Sequence, residues 1–68
     1  MSVMEEIRFA GILRKLMKER GLNQLQLSEL LGVRQSQVSN WLNGRSLPGY
    51  NSLRMLSLKL DVKLEVFF

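Results

Sequence analysis

A chain of 68 residues with neither cysteine nor histidine is one domain near the lower size limit for folding alone, without disulfide staples, thiolate metal sites or the usual general base. Its six carboxylates, Glu5, Glu6, Glu19, Glu29, Asp61 and Glu65, are scattered along the chain, so an enzyme active site, a bound metal and a cofactor are not expected. The net charge of +4 and a pI of about 10.1 point to a polyanionic partner. The distribution is sharper than the sum, because no carboxylate lies between Glu29 and Asp61 while Arg34, Arg45, Arg54 and Lys59 all do. That stretch approaches phosphate without repulsion. No apolar run reaches the roughly 20 residues that span a bilayer, and MSVMEEIRF has early carboxylates and no basic lead, unlike a signal peptide. The cytoplasm is the expected location, with no membrane partner.

The first predicted helix opens on a capping box, Ser2 with Glu5. Glu5 and Glu6 suit its positive end, and Lys15, Lys18 and Arg20 suit the other. Phe9, Leu13, Leu16 and Met17 recur at helical spacing. Gly21 supplies a left-handed stop, with Leu22 placed for the accompanying apolar contact. A second helix is capped by Asn23 with Gln26 three residues on, and Leu27, Leu30 and Leu31 form its inward side. Gly32 breaks it after about two turns, Val33 re-enters the core, and a third helix begins near Arg34 or Gln35 and ends at Asn43-Gly44. Ser46 to Gly49 is a loop in which Pro48 blocks continuation. A fourth helix runs from about Tyr50 to Leu60, with Leu53, Leu56 and Leu60 inward. Tyr50 is read as packing at the helix start, with a phosphate contact through its hydroxyl as the alternative. DVKLEVFF fits two periods: Val62, Leu64, Val66 and Phe68 alternate as a strand, and Leu60, Leu64, Phe67 and Phe68 repeat as a helix. The short helix is favoured. Phe67 and Phe68 are hard to bury in so small a domain, which suggests a dimer interface.

The third helix raises a question of composition. Val38, Trp41 and Leu42 form a narrow apolar stripe, and Gln35, Ser36, Gln37, Ser39, Asn40 and Asn43 cover the rest. Solvated faces ordinarily favour Glu and Lys, which are strong helix formers. Amides pair bidentately with adenine N6 and N7, and hydroxyls donate or accept at any base edge. Two short helices about a Gly-centred turn form a helix-turn-helix. In register from Gln24, Ser28 is small where the helices cross, Gly32 permits the turn, and Leu27, Leu31, Val33, Val38 and Trp41 supply the core.

With those residues in place, GLNQLQLSELLGVRQSQVSNWLNGRSLP resembles the helix-turn-helix of the phage repressor and Cro family, also called the XRE family. The resemblance extends over about residues 8–68. It implies an all-α, compact four- or five-helix bundle of the lambda-repressor type, a bacterial or phage source, and a transcriptional regulator, most simply a repressor, that binds double-stranded operator DNA as a homodimer. It places base contacts on Arg34, Gln35, Ser36 and Asn40, with Gln37 beside them. Phosphate contacts fall on Gln24, Asn43, Arg45 and Ser46. Asn23 is read as a cap.

Two departures from the family pattern are expected to matter. Arg34 stands where the family often has a capping Ser or Thr, so it is read as kept for guanine O6/N7 or a phosphate. Met17 and Leu42 stand where many members have an Arg–Glu pair, so they are expected to meet in the core. Two rivals remain open. One is an antitoxin, with a toxin or other protein partner, whose last segment pairs as a strand across a dimer. The other is a protein-interaction module of the same fold that has lost DNA binding.

Overall fold

The computed structural model describes residues 3–67. Four α-helices, α1 (Val3–Arg20), α2 (Gln24–Leu31), α3 (Gln35–Leu42) and α4 (Tyr50–Leu60), precede one turn of 3-10 helix, Leu64–Phe67. The fold is all-α, with no strand among the described residues, so the last segment takes the helical alternative. Ser2, half of the expected capping box, lies outside the described residues, as does Phe68.

The short helices are held at their ends by local bonds. At the start of α2, Asn23 Oδ1 accepts from the Gln26 N–H at 2.8 Å and Gln26 Oε1 accepts from the Asn23 N–H at 2.9 Å, satisfying two otherwise orphaned donors. All four helices finish alike. Gly21, Gly32, Gly44 and Asp61 take positive φ, and the next N–H returns to the carbonyl five residues back: Leu22 to Met17, Val33 to Ser28, Arg45 to Asn40 and Val62 to Ser57, at 2.9–3.0 Å. In three of these motifs the closing residue (Leu22, Val33 or Val62) packs on the core, as the motif favours. After α3 it is Arg45, which is exposed.

The core runs through all four helices. Leu13, Leu27, Val38, Leu56 and Leu60 are at most 1% exposed, and each fully buried side chain of this kind contributes about 1.5–3 kcal/mol. Phe9, Leu16, Met17, Leu31, Trp41, Leu42 and Phe67 complete it. Met17 and Leu42 therefore both lie in the apolar core. Ser28 is buried on the inner side of α2, its hydroxyl donating to the Leu25 carbonyl at 2.7 Å.

Three expectations are corrected. Leu30 is 38% exposed, because the buried line of this two-turn helix is Leu27, Ser28 and Leu31, and Leu30 falls beside it. Tyr50 is exposed rather than packed, with the Arg54 guanidinium 6.0 Å from its ring centre. Phe67 is buried against Phe9, ring centres 5.3 Å apart and tilted by 44°. The 3-10 turn folds back onto α1 and α4, which provides the cover that the size argument overlooked.

Two arginines of α1 tie down the far ends of other helices. Arg14 donates to the carbonyl of Leu42, the last residue of α3, at 2.6 Å, and Arg20 donates through Nε to Leu60 at the end of α4. Each supplies a cation and a donor where helix carbonyls lack partners.

Candidate nucleic-acid interface

Residue 34 is the N-cap of α3, with extended backbone (φ −74°, ψ 146°), and its side chain makes no capping bond. A guanidinium has no acceptor and is unable to make one. The cap is half replaced by Gln37, whose Oε1 accepts from the Arg34 N–H at 3.3 Å. The Arg34 guanidinium is left exposed at the start of α3, beside Gln35, Ser36 and Gln37, which are also exposed. Asn40 and Ser39 are half-buried one turn further on. Val38, Trp41 and Leu42 on the other side are buried, at 0%, 3% and 6% exposure. The helix thus separates an apolar anchor from an amide-and-hydroxyl surface.

The residues expected at phosphates fall into two groups. Gln24 and Asn43 line one cleft of about 430 Å³ where the end of α1, the start of α2 and the end of α3 meet. The Asn43 amide also donates to Ser39 Oγ at 3.3 Å. Arg45 and Ser46 sit in the turn that leaves α3, the former exposed and the latter half-buried. Arg14 and Lys18 line the same cleft as Gln24 and Asn43, and sequence reasoning missed both. Their i, i+4 spacing puts them on one face of α1 beside Met17, a usable signal.

Helix order, the Gly-centred turn and an exposed polar third helix coincide with the family comparison: residues 13–67 match the helix-turn-helix model HTH_3. The chain belongs to the HTH_3 family. Its members are DNA-binding transcription regulators of the XRE type. Among solved structures, the restriction-modification controller protein C.AhdI from Aeromonas hydrophila is 26% identical with a TM-score of 0.87, covering 96% of this chain and 98% of that one. An HTH_3 family transcriptional regulator from Vibrio cholerae is 28% identical with a TM-score of 0.87, covering all of this chain and 38% of that one. No curated protein sequence matches. No described helix is long and apolar enough to cross a membrane. This HTH_3 chain is accordingly a DNA-binding regulator by family.

Proposed function

We propose that the protein is a sequence-specific repressor that binds a two-fold symmetric operator as a homodimer in the cytoplasm, close to the nucleoid. The observation that carries this reading is the outward surface of α3, where Gln35, Ser36, Gln37 and Asn40 offer neutral donors and acceptors without a carboxylate. Neutral readers make a wrong base costly by leaving groups unpaired, without adding indiscriminate attraction. α3 enters the major groove, Arg34 reads guanine or holds a phosphate at the N-terminal end, and Gln35, Ser36, Gln37 and Asn40 read base edges. Gln24, Asn43, Arg45 and Ser46 hold the backbone on either side and set the docking pose. A module this small makes few contacts, so two copies spaced about one DNA turn, roughly 34 Å, supply affinity and selectivity together.

Selection from a pool of randomised duplexes, followed by sequencing, tests the proposal. Enrichment of a two-fold symmetric site is the expected result, and its half-site spacing reports the dimer geometry. Failure to enrich any site above the starting pool would overturn it in favour of a protein-interaction module.

A second reading, control of a restriction-modification system, is favoured by the near-complete mutual coverage with the Aeromonas controller protein. The enriched site would then occur upstream of nuclease or methyltransferase genes in the source genome. The antitoxin reading loses one support, since the segment that would pair as a strand is a 3-10 turn whose Phe67 is in the core.

A further inference from the structure

At the end of α3 a glycine nitrogen, that of Gly44, directly follows the exposed side-chain amide of Asn43. Of the four asparagines in the chain, only Asn43 precedes glycine; Asn23, Asn40 and Asn51 precede Gln24, Trp41 and Ser52. The pair also sits at the helix end that lacks an apolar anchor. After α1, α2 and α4 the residue closing the turn packs on the core, whereas after α3 it is the exposed Arg45. Beyond Leu42 the turn is therefore held chiefly by hydrogen bonds. Arg45 N–H donates to the Asn40 carbonyl at 2.9 Å and Gly44 N–H to the Trp41 carbonyl at 3.2 Å. The Asn43 amide has one bond of its own, to Ser39 Oγ at 3.3 Å. Segments with few buried apolar contacts and exposed backbone bonds are the ones that open locally at low cost.

We propose that Asn43-Gly44 is a self-modification site, where the Asn43 amide is converted to an acid by the neighbouring backbone and the product binds DNA less well. The Gly44 nitrogen bonds to Asn43 Cγ and gives up its proton, the side-chain nitrogen departs as ammonia, and a cyclic succinimide results. Water then opens the ring at either carbonyl, giving aspartate or isoaspartate, with no oxidant or reductant involved. Glycine favours the first step because no Cβ shields its nitrogen and its backbone turns freely. The native turn holds that step back. At an Asn43 ψ of 5° the Gly44 nitrogen eclipses the Asn43 nitrogen and is turned away from Cβ. Attack requires rotation about this bond, which breaks the Gly44–Trp41 and Arg45–Asn40 bonds, so the reaction proceeds through local opening. Its consequence rests on the DNA-binding reading above, in which Asn43 and Arg45 hold phosphates. Aspartate puts a negative charge at a phosphate contact and at the negative end of α3, unfavourable on both counts. Isoaspartate also inserts one backbone atom into the closing turn, so Arg45 loses its register as well. Protein on its operator is held closed; free protein ages.

The test incubates the wild-type protein at mildly alkaline pH, free and bound to the selected duplex, and follows each asparagine by peptide mapping. Asn51, exposed in the first turn of α4, is the internal standard. Asn43 should convert several-fold faster than Asn51 in the free protein, and bound DNA should slow it several-fold. Aged free protein should bind more weakly, by several-fold or more, in step with conversion at Asn43. Its plot of log affinity against log salt should flatten by about one unit. Asn43→Asp should show that flattening from the start. Asn43→Gln, whose longer side chain closes a ring far more slowly, should keep its own starting affinity over the same period. Conversion at Asn43 no faster than at Asn51 would overturn the site, and full conversion with undiminished affinity would overturn the consequence. A fresh wild-type protein that binds no duplex would overturn the DNA-binding reading and the consequence with it, while the ratio of Asn43 to Asn51 conversion would still decide the chemistry.

Discussion

Arg20, at the end of α1, donates through Nε to the carbonyl of Leu60, the last residue of α4, at 2.9 Å and across 40 positions of sequence. Hydrogen bonds from charged donors typically contribute about 1.5–3 kcal/mol. The Arg20 side chain is about one-third exposed, so solvent screening brings the expectation to the lower end. Arg20→Met should therefore lower stability by about 1–2 kcal/mol and Tm by roughly 4–16 °C for a domain of this size. It should leave the selected DNA sequence unchanged, because α3 is not touched. A melt indistinguishable from wild type would show that the bond adds nothing in solution.

Arg34→Ser separates stability from recognition at one position. Serine supplies the capping oxygen that the guanidinium lacks, worth about 1 kcal/mol, so the variant should melt higher. Its DNA affinity should fall, with relaxed preference at one base pair if Arg34 reads guanine, or a uniform loss if it holds phosphate. Higher stability with undiminished binding would remove Arg34 from the interface.

Gln35→Ala should alter recognition and leave stability alone. The side chain is exposed and makes no hydrogen bond among the described residues, so stability should stay within about 0.5 kcal/mol of wild type. Competition binding with single-base-pair variants of the selected site should show about 1–3 kcal/mol less discrimination at one position. Discrimination retained at every position would assign Gln35 to the solvated surface.

Gly32 and Asp61 occupy the same place after α2 and α4, each left-handed, at φ +71° and +56°. A Cβ at Gly32 would meet nothing within 4 Å, so Gly32→Ala carries only the backbone penalty, about 1 kcal/mol or slightly more. Asp61→Gly should stabilise by up to about 1 kcal/mol, since it relieves that penalty and removes a negative charge from a helix C-terminus. Asp61→Asn keeps the conformation and removes only the charge. Chemical denaturation of all three should order them Gly32→Ala, wild type, Asp61→Asn, Asp61→Gly in rising stability, and equal midpoints for the two Asp61 variants would attribute the gain to charge alone.

Phe67→Ala removes a ring that is 5% exposed and packed on Phe9. A loss of about 3–5 kcal/mol is expected, a large share of the stability of so small a domain. The loss should not depend on protein concentration in urea unfolding. A loss that shrinks as concentration rises would return Phe67 to a dimer interface.

The helices themselves were legible in the sequence because several local signals agreed. Leu13, Leu16 and Met17 share a period, Asn23 and Gln26 form a reciprocal cap, and Gly21, Gly32 and Gly44 each follow the last periodic residue. Leu30 was misplaced because an eight-residue helix holds too few positions for the period to fix the edge of its buried stripe. Phe67 was misplaced because its cover comes from Phe9, 58 positions away, and periodicity carries no information about such contacts. The Arg14 and Arg20 bonds escaped for the same reason: their acceptors are backbone carbonyls, which have no sequence signature. At the candidate interface, the residue types on α3 were readable directly. The cleft that gathers Lys18 with Gln24 and Asn43 exists only after α1, α2 and α3 have been brought together.

At about 1.5 Å of rise per residue, α3 is only some 12 Å long. A helix of that length is unstable alone in water, so its shape is dictated by Val38, Trp41 and Leu42 being drawn into the interior. The residues that dictate the shape are not the ones facing outward. Gln35, Ser36 and Asn40 are thus free to vary like letters on a fixed line of type, while Gln37 also serves the helix end through its bond to the Arg34 N–H. A lineage carrying this scaffold could change the message it reads in single steps, each step passing through a folded protein.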